Sequence, residues 1–220
     1  YQEVLALPFK TVIMTTEASQ YGNAAFFLRI TPNLFTQAEL DQIYKEYFDL
    51  TTLLSVAYKD SGKTFIIQTP NEMDWSMIGS TDATKSPNAN AVKNAINYWN
   101  QIQNAITDAR RIVPTVGVSI YHGCEVNLGI KAMTGTTTAI NSVLPSTYCD
   151  LYGYSAWDTV FANPSEAGAA QLTGMLDYIA SKAPDSAAFG NKNVYVSELG
   201  VPEAVYGSGS GAILAAYAKK

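Results

Sequence analysis

The stretch KTFIIQTPNEMDW, residues 63–75, combines an apolar strand with a polar end. Residues 64–68 are β-branched, aromatic and apolar, which is typical of a strand buried in a sheet. Asn71 and the carboxylate Glu72 follow it directly, and a later strand at residues 194–197 runs into Glu198. The carboxyl ends of parallel strands meet at one edge of a sheet. Two carboxylates at such ends therefore predict one shared catalytic face.

Short apolar strands alternate with amphipathic helices along the chain. We predict five strands, at residues 11–16, 64–68, 115–121, 149–154 and 194–197. Single alternation of strand and helix favours a mostly parallel α/β sheet, either doubly wound or a (β/α)8 TIM barrel. No Gly-x-Gly-x-x-Gly follows the first strand, which weakens the doubly wound dinucleotide-binding version. The polar candidates follow several different strands, so we favour the barrel.

The predicted barrel is incomplete, because a closed one needs eight strands. We expect a single partial domain, residues 1–220, that contains strands three to seven and lacks the first two strands and the eighth. An open barrel exposes strand edges, so self-association is an expected risk.

The composition narrows the classes of partner. The 220 residues are 47% hydrophobic and carry a net charge of −5. An acidic chain without clustered Lys and Arg is not expected to bind nucleic acid, and no apolar run is long enough for a membrane span. We expect no cofactor. Because the chain begins at Tyr1 rather than Met, a secreted and a cytoplasmic location both stay open.

The cysteine and histidine content bears on redox chemistry and metal binding. In the predicted strands, Cys124 follows one strand and Cys149 begins the next, which would hold them at opposite ends of the sheet. We therefore expect two free thiols, as in a reducing compartment. His122 is the one histidine, so neither a His-based metal site nor a Ser-His-Asp triad is expected.

The pair of Glu72 and Glu198 suggests glycoside hydrolysis. That reaction needs one carboxyl group to protonate the leaving oxygen and another to attack the anomeric carbon or activate water. Either glutamate alone is more simply a solvated loop residue. The pair carries more weight, because both members directly follow strand-like runs.

The motifs Asn71-Glu72 and VSELG, residues 196–200, resemble those of the clan A retaining glycoside hydrolases, a group of (β/α)8 barrels that includes cellulases and β-glycosidases. The resemblance covers strands three to seven. It implies that Glu72 is the acid/base, that Asn71 binds the sugar 2-hydroxyl, and that Glu198 is the nucleophile. Met73 stands where many members have Pro, and the family's supporting Arg and Trp belong to strands two and eight.

The resemblance also implies a role for tyrosines on the predicted strand at residues 149–154, which would be strand six of the barrel. An aromatic or imidazole group of this region commonly hydrogen-bonds the nucleophile in the clan, which points to Tyr154 and less strongly to Tyr152. A role in the core or the cleft wall is an equal alternative. The segments KTFIIQ, residues 63–68, and EVN, residues 125–127, also resemble a group of uncharacterised barrel proteins, so no particular substrate is implied.

Four further residues are candidates for substrate contact. Trp75 and Trp157 follow strand ends and would stack on sugar rings, or else anchor loops. Glu125 and His122 lie on the same predicted face and would hydrogen-bond the substrate, although His122 could instead be structural. We expect a retaining hydrolase of β-glycosidic bonds. A non-catalytic carbohydrate-binding or structural barrel is the alternative, and a phosphate-dependent barrel using the glycine-rich residues 207–211 is weaker.

Overall fold

A computed structural model describes residues 2–18, 33–162, 166–201 and 207–217 of the chain. The strands are β1 Thr11–Thr15, β2 Lys63–Thr69, β3 Val118–Val126, β4 Leu151–Ser155 and β5 Val194–Glu198. The helices are α1 Gln2–Leu5, α2 Gln37–Ala57, α3 Met73–Ile78, α4 Ala89–Ile112, α5 Gly129–Met133, α6 Ala139–Ser142, α7 Trp157–Ala162, α8 Glu166–Ala180 and α9 Ser210–Tyr217. Short 3-10 turns lie at Leu144–Ser146 and Gly207–Gly209.

The five strands form one parallel sheet in the order β1-β2-β3-β4-β5. The prediction of an α/β fold with a parallel sheet is therefore confirmed. The strand order follows the chain without a reversal, so these strands lack the switch point that characterises a doubly wound sheet. The sheet is curled into a half-barrel form, which is compatible with part of a barrel.

The two longest helices, α2 and α4, each begin with a capping side chain that is evident from the local sequence. The predicted capping box is present: Thr36 Oγ1 accepts the Glu39 N–H, and the Glu39 carboxylate accepts the Thr36 N–H. Helix α4 begins at Asn88, whose side chain accepts the N–H of Ala91. Both helices pack against β3, and α8 packs against β5. Among the described residues, no helix combines the length and apolarity that crossing a membrane requires.

Alternate residues of each strand face opposite sides of the sheet. We call one side the outer face; helices cover it, and its residues include Phe65, Ile67, Ile120, Cys124, Val126, Tyr152 and Tyr154. We call the other side the inner face; its residues include Gln68, Gly123, Glu125, Gly153, Ser155, Tyr195 and Ser197. On the inner face, Tyr195 of β5 donates a hydrogen bond of 2.8 Å to the Gln68 side chain of β2. The contact spans three strand steps.

Strand β3 starts and ends later than predicted. The prediction was residues 115–121, whereas the strand runs over Val118–Val126. Residues 122–127 were expected to form a polar exit loop, but residues 122–126 belong to the strand, and His122 and Glu125 find hydrogen-bond partners within the sheet. His122, for example, lies 2.8 Å from the Thr69 hydroxyl, and Glu125 bonds to Gln68.

The longer strand overturns the prediction of free thiols. Cys124 lies within β3 and pairs with Tyr152 of β4, so Cys149 is close by rather than at the far end of the sheet. The two cysteines form a disulfide, with their Cα atoms 6.3 Å apart. The inference of a reducing compartment loses its basis, because it rested on unpaired cysteines.

The glycine-rich residues 207–211 were expected to form a flexible loop. The structure instead shows the 3-10 turn Gly207–Gly209 leading into helix α9. The predicted start of helix α8 at residues 163–166 lies mostly outside the described residues, which resume at Glu166.

Candidate functional site

Three glutamates lie at the carboxyl ends of the strands, on the inner face. Glu72 follows β2, Glu125 lies near the end of β3, and Glu198 ends β5. Each is linked to at least one of the others by a shared hydrogen-bonding partner or a backbone contact. The sheet therefore gathers carboxylates that are far apart in sequence.

Ser155, the last residue of β4, bridges the two predicted catalytic carboxylates. Its hydroxyl oxygen lies 2.9 Å from Glu72 Oε1 and 3.2 Å from Glu198 Oε2. These two distances together limit the separation of the two carboxylate oxygens to about 6.1 Å. A hydroxyl carries a single proton, so Ser155 donates to one carboxylate at a time.

A bulge at the end of β5 turns Glu198 toward this bridge. Tyr154 pairs with Val196, but the next residue, Ser155, pairs with Glu198 rather than Ser197. The extra residue lets both Ser197 and Glu198 reach the inner face, although neighbours on a regular strand point to opposite faces. Ser197 donates to Glu125 and Glu198 meets Ser155.

Glu198 also accepts a hydrogen bond from the indole of Trp157, at 2.9 Å. Trp157 is the first residue of α7 and is half-buried. Its ring packs against the backbone of Gly200, where a Cβ atom would lie only 2.4 Å from the ring. Trp157 and Ser155 therefore both direct donors at the Glu198 carboxylate.

Glu72 has an unusual backbone conformation. Its φ of 49° and ψ of 72° lie in the left-handed region, which costs a non-glycine residue about 1–3 kcal/mol. Its N–H donates a 2.9 Å hydrogen bond to Glu125 Oε2. Asn71 precedes it, half-buried, and the N–H of Trp75 in α3 donates to the Glu72 carbonyl. Strain of this kind concentrates at functional sites.

Burial raises the pKa of Glu72. The negative charges of Glu198 and Asp158 raise it further, while hydrogen bonds from Ser155 and the Trp75 side chain act in the opposite direction. A carboxyl group with a raised pKa keeps its proton to higher pH. Such a group is suited to general acid catalysis.

Burial raises the pKa of Glu125 more strongly, to about 7. The charges of Glu198 and Glu72 add to this shift, and hydrogen bonds from Ser197 and the Glu72 N–H oppose it. Glu125 is fully buried, and the sequence predicted it as a substrate contact. Its carboxylate lies next to Glu72, whose backbone N–H donates a hydrogen bond to it.

The inner face beneath the carboxylates is closed by Tyr195. The phenol lies across two glycines: a Cβ at Gly123 would be 2.8 Å from its oxygen, and a Cβ at Gly153 would be 3.0 Å from it. The phenol donates to Gln68, whose amide in turn donates to Glu125 at 2.9 Å. The small residues of β3 and β4 therefore make room for a network that connects β5 with β2.

Tyr152 and Tyr154 of β4 do not lie with the carboxylates. Tyr152 is on the outer face, with its hydroxyl 3.2 Å from that of Thr147. Tyr154 is also on the outer face, and its hydroxyl bonds to Asp158 and Thr159. Ser155, one position further on, occupies the place that the resemblance predicted for a tyrosine. Strand parity contained this signal, because residue 155 must face opposite to residue 154.

His122 is also on the outer face, which differs from its predicted position beside Glu125. It is fully buried, and its ring lies 3.8–3.9 Å from Cys124 Sγ. Burial and the neighbouring Arg110 charge lower its pKa to about 3, so the ring is neutral. The ligand atoms of His122, Cys124 and Cys149 lie within 4.8 Å of one another, but the two sulfurs are bonded to each other and are not metal-binding thiolates.

A cavity of about 500 Å³ lies beside Asp158, whose charge acts on Glu72. Its lining includes the hydroxyl groups of Thr84, Ser86, Thr134 and Thr136. A second cavity, of about 400 Å³, lies between Thr16 and helix α2. None of the three glutamates lines either cavity.

The arrangement provides two carboxylates separated by about one small group, with distinct environments. Glu72 is held in a strained conformation with a raised pKa, whereas Glu198 receives two neutral donors. Such a pair can supply a proton donor and a nucleophile to one substrate. Comparisons with protein-family models, with curated proteins and with solved structures find no match to this chain.

Proposed function

We propose that this chain is part of a (β/α)8-barrel glycoside hydrolase that cleaves β-glycosidic bonds with retention of configuration. The observation that carries the proposal is the Ser155 bridge, in which one hydroxyl group lies within hydrogen-bonding distance of both Glu72 and Glu198. Two carboxylates this close are compatible with the spacing of about 5–5.5 Å between the carboxyl groups of retaining enzymes, and the stereochemical test below distinguishes retention from inversion.

The proposed mechanism assigns one role to each carboxylate. Glu198 attacks the anomeric carbon while Glu72 gives its proton to the departing glycosidic oxygen, and a glycosyl ester of Glu198 forms. Glu72 then removes a proton from water, the water oxygen attacks the anomeric carbon, and the ester bond to Glu198 breaks. The raised pKa of Glu72 supports the acid role. The donors Ser155 and Trp157 hold the Glu198 carboxylate in position.

The barrel part of the proposal rests on strand order. Five parallel strands follow one another without reversal, and the glutamates lie at their carboxyl ends. Both features are typical of (β/α)8 barrels, in which these strands would correspond to strands three to seven. Asn71 and Trp75, which flank Glu72 and are half-buried, are the proposed sugar contacts on its side of the site.

The test is a pair of variants in the full-length protein, Glu72→Gln and Glu198→Gln, assayed on aryl β-glycosides and β-linked oligosaccharides. We expect Glu198→Gln to abolish hydrolysis of every substrate. Glu72→Gln should lower kcat/KM by about 10²–10⁴-fold on oligosaccharides. Its effect should be smaller on dinitrophenyl glycosides, because their leaving group needs no proton. Glu46→Gln on helix α2 is the matched control and should be fully active.

Proton NMR of the first-formed sugar gives the stereochemistry, and retention is expected. An inverted product would overturn the retaining mechanism. If the wild-type protein binds β-linked oligosaccharides without cleaving them, the proposed enzymatic activity is wrong. That result would favour a non-catalytic carbohydrate-binding barrel.

A further inference from the structure

Glu125 is the most enclosed of the three glutamates. Its side chain is fully buried, and both carboxylate oxygens are already engaged. Oε1 lies 2.9 Å from Gln68 Nε2 and 2.5 Å from Ser197 Oγ, and Oε2 lies 2.9 Å from the Glu72 N–H. A carboxylate enclosed in this way suits a supporting role better than contact with a substrate.

The hydrogen bond to the Glu72 N–H gives Glu125 control over the conformation of Glu72. Glu72 needs a left-handed backbone to turn out of β2, and an L-residue adopts it only when the surroundings hold it there. The Glu125 carboxylate provides a charged acceptor for that N–H, and such bonds are about twice as strong as neutral ones. This backbone conformation places the Glu72 carboxyl group within hydrogen-bonding distance of Ser155.

Glu125 is itself held by side chains of β2 and β5. Gln68 of β2 is oriented by the Tyr195 hydroxyl at 2.8 Å and lies 3.3 Å from the Thr15 hydroxyl of β1. Ser197 reaches Glu125 because the bulge in β5 turns it inward. The carboxylate is therefore fixed in place before any substrate arrives, as an accurately positioned site requires.

We propose that Glu125 is a positioning residue: its carboxyl group holds Glu72 in the left-handed conformation that brings the Glu72 carboxyl group to Ser155. This inference rests on the proposed function for its catalytic consequence. The link between Glu125 and Glu72 can be measured without any activity.

The groups that face Glu125 fit this role. The titratable ones are Glu72 from the end of β2, and Glu198 and Tyr195 from β5. Within the described part of the chain, no Lys, Arg or His side chain donates a hydrogen bond to it. The charges of Glu198 and Glu72 raise the pKa of Glu125, as their closeness requires.

The experiment compares Glu125→Ala and Glu125→Gln in the full-length protein, with Asp150→Asn as the matched control. Asp150 is also a buried carboxylate, but it pairs with Arg110 and bonds the His122 N–H away from the site. The readouts are kcat and KM as functions of pH on an aryl β-glycoside. The ¹H–¹⁵N NMR signal of the Glu72 amide is the readout that needs no activity, because this N–H is the group that Glu125 holds.

We expect Glu125→Ala to lower kcat about 100-fold with little change in KM, because Glu72 loses its anchor. Glu125→Gln keeps an acceptor for the Glu72 N–H and should lose less activity. The Glu72 amide proton should move upfield and exchange faster with solvent in Glu125→Ala, and both changes should be smaller in Glu125→Gln. Asp150→Asn should lower the free energy of unfolding and leave kcat and the Glu72 amide signal in place.

Two results would overturn the inference. One is a Glu72 amide signal that is the same in wild type and Glu125→Ala. The other is an active wild type in which Glu125→Ala keeps its kcat. If the wild type cleaves no glycoside, the proposed function fails, and the amide signal alone still decides whether Glu125 holds Glu72. If Glu125→Ala does not fold, Glu125→Gln replaces it, and an unchanged Glu72 amide signal in that variant overturns the inference.

Discussion

The inner and outer faces of the sheet differ sharply, although the same strands build both. On β3, Glu125 faces inward into a network of hydrogen bonds, while its neighbours Cys124 and Val126 face outward into an apolar layer. On β4, Ser155 bridges two carboxylates, and Tyr154 beside it packs under the helices. A shift of one residue separates a packing role from a chemical one.

The difference indicates that stability and chemistry are divided between the two faces. A fully buried apolar side chain of the outer face, such as Phe65, contributes about 1.5–3 kcal/mol by leaving water. An inner-face hydrogen bond has a net value of only about 1 kcal/mol, because both groups give up water to form it. The inner network therefore adds less stability than the apolar layer does, but it positions groups that a reaction can use.

The largest expected effect comes from breaking the outer face. Phe65→Ala should lower the free energy of unfolding by about 3–5 kcal/mol, because it leaves a cavity in a closed core. Gln68→Ala, on the inner face of the same strand, should cost only about 1–3 kcal/mol through the partners it leaves unpaired. Urea unfolding followed by tryptophan fluorescence measures both.

Leu53→Ala serves as the control for the size of the side chain, since Leu53 is 63% exposed and its loss should change stability by less than about 0.5 kcal/mol. Equal costs for Phe65→Ala and Gln68→Ala would contradict the division between the faces.

The next largest effect concerns the disulfide of the outer face. Replacing Cys124 and Cys149 together with Ala should lower the free energy of unfolding by about 2–4 kcal/mol, because the bond closes a loop between residues 25 positions apart. Activity should change little, since neither cysteine touches the carboxylates of the inner face. Chemical denaturation and glycoside hydrolysis of the double variant test the two parts separately. Alkylation of two thiols in the native wild type would show that the bond is not formed.

A smaller effect should follow from adding one methyl group to the inner face. In Gly153→Ala the new Cβ would lie 2.9 Å from Ser197 Cβ and 3.0 Å from the Tyr195 ring, so Tyr195 must move away from Gln68. Overpacking of this kind costs about 1–3 kcal/mol. Gly174→Ala is the matched control: it lies in α8 with open space around it and should stabilise the protein by about 0.5–1 kcal/mol. Thermal melts of the two variants should therefore shift in opposite directions.

The smallest effects, counted per pH unit, come from two buried titratable groups whose pKa values are shifted in opposite directions. Burial raises the pKa of Asp74 to about 7, so the folded state holds a proton that the unfolded state releases near pH 4. Its contribution to stability is therefore lost as the pH rises from about 4 to 7. Burial lowers the pKa of His122 to about 3, so its contribution is lost as the pH falls from about 6.5 toward 3.

Asp74→Asn and His122→Gln should remove these two dependences. Between pH 4 and 6.5 the unfolding free energy relative to wild type should rise with pH for Asp74→Asn and fall for His122→Gln, each by up to about 1.4 kcal/mol per pH unit. Unfolding curves across this range measure both slopes. Slopes of the same sign would contradict the assigned environments. A shallow slope for both would mean that neither group is as buried as the structure indicates.

Much of the fold could be predicted because its signals are local. The capping box at Thr36 and the amphipathic pattern of α4 predicted the two long helices, and β-branched apolar runs predicted all five strands. Their alternation predicted a parallel sheet. The same reasoning placed Glu72 and Glu198 at one edge, where the structure has them on either side of Ser155.

The remaining features depend on partners far away in the chain. Polar residues at the end of β3 looked like a loop, because their hydrogen-bond partners Thr69 and Gln68 lie more than fifty residues earlier. The disulfide was missed for the same reason, since it follows from the register of β3 on β4. The bulge in β5 has no marker in its own sequence, VYVSE.

The chain's local pattern thus defines which residues are strands and helices and puts two glutamates at strand ends, because hydrophobic period and capping chemistry act over a few residues. Register, the bulge and the choice of Ser155 over Tyr154 depend on how five strands align. Those features are set by cross-strand pairing and by the need of each buried polar group for a partner. The site at Glu72 and Glu198 exists through that second level, in which Glu125 and Ser155 meet residues that the chain supplies from other strands.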